Sequence, residues 1–256
     1  MSTLVVQLRS DLKVFVRNPA ALFFTAILPV VFLCLFVGIF GNNRLQEYDN
    51  VHASTIYVPS FIALAVVSAA FVALAMGFTR MRESGMLKRV RATPVPSWIV
   101  FAGRIGTSIV TATLVTALLM LIGGVVFGVQ LPTHTLPGLI SALVVGAAAF
   151  CALGIAYTRV IPSEEAGPAM TNAVVLPLYF ISGVFVPFRT LPESLQHVAE
   201  LLPVQPFVNA LQVAFDPHTS GAGFSGSDLL KLSIWGVIGL VCALRFFVWT
   251  PRHQAG

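Results

Sequence analysis

A cluster of charge sits between two long apolar segments of this chain. Arg80, Arg82, Glu83, Lys88, Arg89 and Arg91 crowd a short stretch between two long apolar runs, and Thr93-Pro94-Val95-Pro96 follows them. Side chains of this kind are costly to leave unpaired in hydrocarbon, so residues 80–97 are expected to meet water. Their mixed charges suit ion pairing and hydrogen bonding to another protein. Other chemistry is hard to assemble. Glu164 and Glu165 follow Arg159 in a short loop, where solvated salt bridging is the expected role. His52, His134, His197, His218 and His253 are scattered over loops and termini and form neither H-E-x-x-H nor another paired ligand set. The sequence holds no G-x-S-x-G elbow and no G-x-x-x-x-G-K-[ST] phosphate loop, so the chain has no P-loop route to ATP. No Asp or Glu falls inside an apolar run, which argues against an ion-coupled secondary carrier.

The elements that position the charged stretch follow from composition. With 57% hydrophobic and 10% charged residues, and a mean hydropathy of +0.89, the chain is too apolar to cover a water-soluble surface. A helix needs roughly 20 apolar residues to cross a hydrocarbon core about 30 Å thick. Six runs qualify, at 20–40, 55–79, 98–128, 138–158, 168–187 and 232–249. The expected fold is therefore an all-α polytopic membrane protein with six transmembrane helices, filling residues 1–256 as a single transmembrane domain. The first apolar run starts late and is followed by five more, so it is expected to stay as an anchor rather than be cleaved. Cys34, Cys151 and Cys242 each lie inside a run and read as small core residues.

If the N-terminus is cytoplasmic, Arg9, Lys13, Arg17, Arg80, Arg82, Lys88, Arg89, Arg91, Arg104, Arg159, Arg245 and Arg252 fall inside. Only Arg44, Arg189 and Lys231 fall outside, a strong positive-inside bias that also places the C-terminus in the cytoplasm. The basic balance needs no nucleic-acid partner, because the cations flank membrane spans and no base-stacking motif accompanies them.

Smaller features refine the picture. Residues 1–18 place Leu4, Val5, Leu8, Leu12, Phe15 and Val16 on one helical face, giving an amphipathic interface helix before Asn18-Pro19. A topology anchor and a partner contact both fit it. In the second span Tyr57, Phe61, Leu64, Ser68, Phe71 and Ala75 form one stripe, which suits either a solute cavity or plain helix packing. Thr107, Ser108, Thr111, Thr113 and Thr116 in the third span read as hydroxyls bonded back to carbonyls one turn earlier or across to other helices. Gly123, Gly124 and Gly128 allow close helix approach there. Between the fifth and sixth spans, residues 188–215 read as two short re-entrant outer helices, the first opened by a Thr190 and Glu193 capping box. Their apolar faces are Leu195, Val198, Ala199 and Leu202, then Phe207, Ala210, Leu211, Ala214 and Phe215. A flexible loop from Asp216 to Gly226 follows.

A six-span body with no engine and a charged hook suggests a permease driven by a separate protein, and three stretches sharpen that. Arg82 to Pro96 is similar to an R-E-x-G-x-L-x-x-L-x-x-x-P inner loop, with Val90 at the usual Leu. Leu176 to Pro187 is similar to a fifth span ending S-G-x-x-x-P, and Leu191-Pro192-Glu193 through Leu202-Pro203-Val204-Gln205-Pro206 is similar to the outer helices after it. In this order they resemble the ABC-2 type transporter permease family, drug-exporter type, related to daunorubicin resistance permeases. The resemblance implies efflux by alternating access across a bacterial inner membrane, with drug export and antibiotic resistance as the expected setting. It implies a dimer with a second copy or a homologous permease, an ABC ATPase partner holding ATP and Mg, and membrane lipid around the body. No cofactor is expected on this chain.

The same resemblance places ATPase coupling at Glu83, Ser84, Gly85, Leu87, Lys88 and Arg91, with Arg9 and Phe15 beside them. It places a substrate path at Phe61, Ser68, Phe71, Asn172, Leu176 and Tyr179, and an outer gate at Pro177, Ser182 and Gly183. Asn172 serves equally as an interhelical hydrogen-bonding group. Glu83 to Arg91, ended by prolines, is expected to form a short rigid lever between two spans. A hydrophobic or amphipathic compound is the expected cargo, a polysaccharide or glycolipid exporter is the near alternative, and an ion-coupled carrier or a membrane anchor the distant ones.

Overall fold

Long apolar segments without internal charge favour helices whose backbone groups are all satisfied within the segment, and the computed structural model is helical nearly throughout. It describes residues 17, 19–40, 44–45, 51–91 and 97–248. Helix α1 runs through Pro19–Leu22, a π turn at Phe23–Ile27, and Leu28–Phe40. Two-residue strands, β1 (Arg44–Leu45) and β2 (Val51–His52), pair antiparallel. Helix α2 spans Ala53–Glu83 with a π turn at Ser68–Val72. Then come α3 (Met86–Arg91), α4 (Ser97–Phe127), α5 (Leu136–Tyr157) and α6 (Gly167–Ile181). After a 3-10 turn at Phe188–Thr190 the chain forms α7 (Glu193–Leu201), α8 (Val204–Phe215) and α9 (Gly226–Phe246).

Helix α2 is the axis of the bundle. It packs against α1, α4, α5 and α8, and its residues from Ile56 to Val67 are almost wholly buried. Helices α5 and α9 form the most extensive pair. Their backbones meet at Gly239, where a Cβ would lie 2.8 Å from the Leu153 nitrogen, so only glycine fits. The bundle exterior is itself apolar: Leu114, Leu121 and Val125 on α4, Val144 on α5 and Leu244 on α9 all face outward. That exterior is what a surrounding bilayer requires and what water would penalise.

Helices occupy all six expected places, but not with equal length. Among the described residues, four segments are long and apolar enough to cross a bilayer: Ala53–Glu83, Trp98–Phe127, Leu136–Tyr157 and Gly226–Phe246. Phe23–Ile39 and Gly167–Ile181 are apolar but shorter. The fifth expected span, 168–187, stops at Ile181 as a helix, because Ser182 leaves helical geometry and Gly183 turns back with φ 83°. Its 15 residues cover roughly 22 Å at 1.5 Å per residue.

The region 188–215 forms two helices, α7 and α8, bent by 94°. The expected face of α8 is buried, with Phe207, Ala210, Leu211, Ala214 and Phe215 all inside. On α7 only Ala199 is buried, while Leu195 and Val198 are exposed. The expected capping box is not formed. Thr190 belongs to the 3-10 turn, its hydroxyl donates to the Pro187 carbonyl at 2.7 Å, and Pro192 is the N-cap of α7. Pro192 fixes an extended entry that takes Thr190 out of reach. Among the cysteines, Cys151 is buried, Cys242 half-buried and Cys34 exposed on the apolar surface, so Cys34 is not the core residue expected.

Candidate functional site

The charged stretch begins on α2 itself. The helix continues past residue 79 to Glu83, so Arg80, Arg82 and Glu83 ride on a membrane helix instead of opening a separate lever. Ser84 and Gly85 then form a turn, Gly85 with φ 70°, which an L side chain rarely adopts. The expected lever from Glu83 to Arg91 is thus divided, and only Met86–Arg91 forms the short helix α3.

Arg82 is buried, with 2% of its side chain exposed. Its Nε donates to Glu83 Oε1 at 2.6 Å, Nη1 to the Thr158 carbonyl at 2.7 Å, and Nη2 to the Ile161 carbonyl at 2.7 Å. A longer contact of 3.5 Å reaches the Pro162 carbonyl. These carbonyls lie just past the end of α5, where backbone acceptors have no partner within the helix and the helix dipole favours a cation. The guanidinium fork fits several acceptors at once. Arg82 therefore ties the end of α2 to the end of α5 and to the segment leading into α6. Nearby, Arg80 Nε pairs with Glu164 Oε1 at 2.7 Å on the surface, the role the sequence suggests for Glu164.

The residues proposed for coupling have different surroundings. Ser84, Lys88 and Arg89 are exposed, as is Met86. Glu83 is mostly covered and already engaged by Arg82. Leu87 is fully buried and pins α3 to the bundle. Arg9 and Phe15 lie outside the described residues, and so does the Arg91 side chain.

The proposed path residues also divide. Phe61 sits in an aromatic cluster with Tyr57, Phe36, Phe32 and Phe185, ring centroids 5.5 to 6.3 Å away. Tyr179 of α6 donates to the Leu64 carbonyl at 3.3 Å and lies 3.4 Å from Ser68 Oγ, at the entry to the π turn of α2. Since the tyrosine proton is used on Leu64, Ser68 is the donor to Tyr179. Phe71, in the same π turn, packs on Tyr157 at 5.3 Å. The buried stripe of α6 is Gly167, Thr171, Val175 and Tyr179. Asn172 and Leu176 stand on its exposed side, apart from the other four.

An apolar cavity of about 660 Å³ opens between α5, α6 and α9 and under the α7–α8 elbow. Phe71 and Pro177 line it, together with Phe150, Tyr157 and Trp235, and Arg159 stands at its charged end. Sequence reading missed Phe150, Leu153, Trp235 and Phe246 because an apolar position inside an apolar span carries no periodic signal. At the opposite end, the Ser60 hydroxyl lies 3.1 Å from the Gly183 carbonyl and accepts from Gln212 Nε2 at 3.1 Å.

Residues 3–215 match the family profile described as ABC-2 type transporter. The chain belongs to the ABC-2 type transporter family. Similarity to curated proteins agrees. The chain is 23% identical over 194 residues to "Inner membrane transport permease YadH" of Escherichia coli (strain K12), covering 75% of each. It is 20% identical over 182 residues to "Probable multidrug ABC transporter permease YbhR" of the same strain, covering 71% of this chain and 47% of that one. ABC-2 permeases are membrane subunits of ABC transporters and work with an ABC ATPase. As an ABC-2 member with an apolar helical exterior, this chain is an integral membrane protein.

Proposed function

We propose that this chain is the permease subunit of an ATP-driven exporter that moves hydrophobic or amphipathic compounds out of the cytoplasm. Six helices cross the inner membrane, with α1 and α6 as the two short spans. The charged end, α3 and both termini face the cytoplasm, in line with the positive-inside bias of the sequence. The permease acts as a dimer, with itself or with a related permease, and two ATPase subunits supply ATP and Mg chemistry. Ser84, Lys88 and Arg89 meet the ATPase, and Leu87 anchors α3 so that a push is not lost.

The observation that carries this reading is the Arg82 clamp. Five residues separate Arg82 from the exposed Lys88, and the same arginine holds the ends of α2 and α5. A displacement of α3 is thereby passed to two membrane helices, and through the Tyr157 hydroxyl, 2.9 Å from the Met170 carbonyl, to α6. The apolar cavity beside α6 supports a greasy cargo over a polysaccharide, which would need polar groups among the aromatic ones.

The test is transport of a fluorescent amphipathic dye by proteoliposomes containing this chain and whatever P-loop ATPase co-purifies with it. ATP-dependent dye movement supports the reading. Movement driven by a pH gradient without any ATPase would replace it with an ion-coupled carrier.

A further inference from the structure

Two cavities adjoin at the end of α6 remote from the charges. The apolar one reaches Ile181 and Val204. A second pocket, about 110 Å³, starts at the very next residues of the same two segments, Ser182 and Gln205, and is completed by Thr55, Asn209 and Gln212 among others. Consecutive residues of these two segments thus line both a greasy chamber and a small pocket of mixed polarity.

Ser182 is fully buried and Gln205 is 7% exposed. Among the described residues, Ser182 Oγ and Gln205 Oε1 have no hydrogen-bond partner. Their neighbours are committed: Gln212 Nε2 donates to Ser60, and Asn209 Nδ2 donates to Asp228 Oδ2 at 2.7 Å. A buried hydroxyl donor and a buried amide acceptor left unmatched are costly unless something fills them. Both are uncharged. Arg189 and Asp216 line the same pocket with opposite signs, so the formal charges of its lining sum to zero.

We infer that this pocket binds an uncharged group able both to donate and to accept hydrogen bonds, a carboxamide or a hydroxyl, on the head of an amphipath whose tail lies in the apolar cavity. The inference rests on the transport reading above and narrows its cargo to neutral-headed amphipaths. It places the head at the exit side while the tail is still inside the bundle.

Three probes with one tail and differing heads test it: decanamide, decanoate and decylammonium. Equilibrium binding is measured on the full permease in phosphatidylcholine nanodiscs, with empty discs subtracted. Decanamide is expected to bind most tightly. Ser182→Ala and Gln205→Leu should each weaken decanamide about fivefold, the size of one hydrogen bond, and leave the charged probes unchanged. Ser182→Ala should keep or raise the melting temperature, since it removes a buried hydroxyl that bonds to no other side chain or carbonyl. Gln205→Glu, which preserves shape, should shift the preference toward decylammonium. Equal affinity for all three heads, or decanamide binding untouched by both variants, overturns the site. A lowered melting temperature in Ser182→Ala with unchanged decanamide binding also overturns it and assigns the pocket to structural water. The assay uses no ATP. Head-selective binding without ATP-driven transport therefore overturns the exporter reading alone, and ATP-driven transport blind to the head overturns this site alone.

Discussion

The Arg82 guanidinium lies 2.7 Å from the Thr158 carbonyl, 76 residues away in sequence, and this bond joins the end of one membrane helix to the end of another. With Ile161 and Glu83 also bound, the cation is enclosed and each of its three nitrogens donates. Removing one member of a buried charged set leaves the rest unpaired, which typically costs about 3–5 kcal/mol. Arg82→Met should lower stability by that order in a melting experiment. The double variant Arg82→Met with Glu83→Leu should lose less than the two single losses combined, because it removes both charges together.

Arg80 and Glu164 make an equally short pair, 2.7 Å, but in water, with 62% and 39% of the side chains exposed. Exposed pairs contribute under about 1 kcal/mol. Arg80→Ala should therefore leave both the melting temperature and ATP-driven transport near wild type. A loss as large as that of Arg82→Met would show that the surface pair holds the helices as firmly as the buried one.

Bulk added to the apolar cavity should separate cargo binding from ATP hydrolysis. Ala156 lines the cavity, and Ala156→Phe fills part of its volume from the α5 side. Dye transport should fall severalfold while the basal ATPase rate of the complex stays within about twofold, since a cavity wall contributes cargo binding and no phosphate chemistry.

The α5–α9 seam should tolerate no side chain at its narrowest point. Gly239→Leu forces bulk against the Leu153 backbone, and overpacking of this kind costs about 1–3 kcal/mol or more. Gly38→Ala, in open space on α1, should be neutral in the same melting assay.

The sequence made the helices legible because hydrocarbon imposes a length and a composition on whatever crosses it. The buried face of α8 was readable for the same reason, as apolar spacing at Phe207, Ala210, Leu211 and Ala214 leaves one packing solution. Thr107 and Thr113 do bond back to the Gly103 and Ile109 carbonyls, and a Cβ at Gly123 would meet the Val58 side chain at 2.7 Å. Arg82 was not legible as a buried clamp, because its acceptors on the other helix end are carbonyls, which carry no residue-type signal. The π turn at Ser68–Val72 was equally hidden, since the stripe from Tyr57 to Ala75 assumed an unbroken 3.6-residue period. That turn is where Ser68 meets Tyr179 and Phe71 meets Tyr157. The family resemblance also grouped Asn172 and Leu176 with Tyr179, although α6 places them on its exposed side.

The measurement that bears most directly on coupling through Arg82 is the number of dye molecules moved per ATP hydrolysed, in proteoliposomes of the permease and its co-purified ATPase. Wild type is compared with Arg82→Lys, which keeps the charge but cannot span the carbonyls as the guanidinium fork does. Coupling through the guanidinium fork predicts a ratio lower by about fivefold or more, the lower end of ordinary coupling energies, with the ATPase still bound and still hydrolysing. A ratio equal to wild type would contradict it and leave Arg82 as a structural clamp alone.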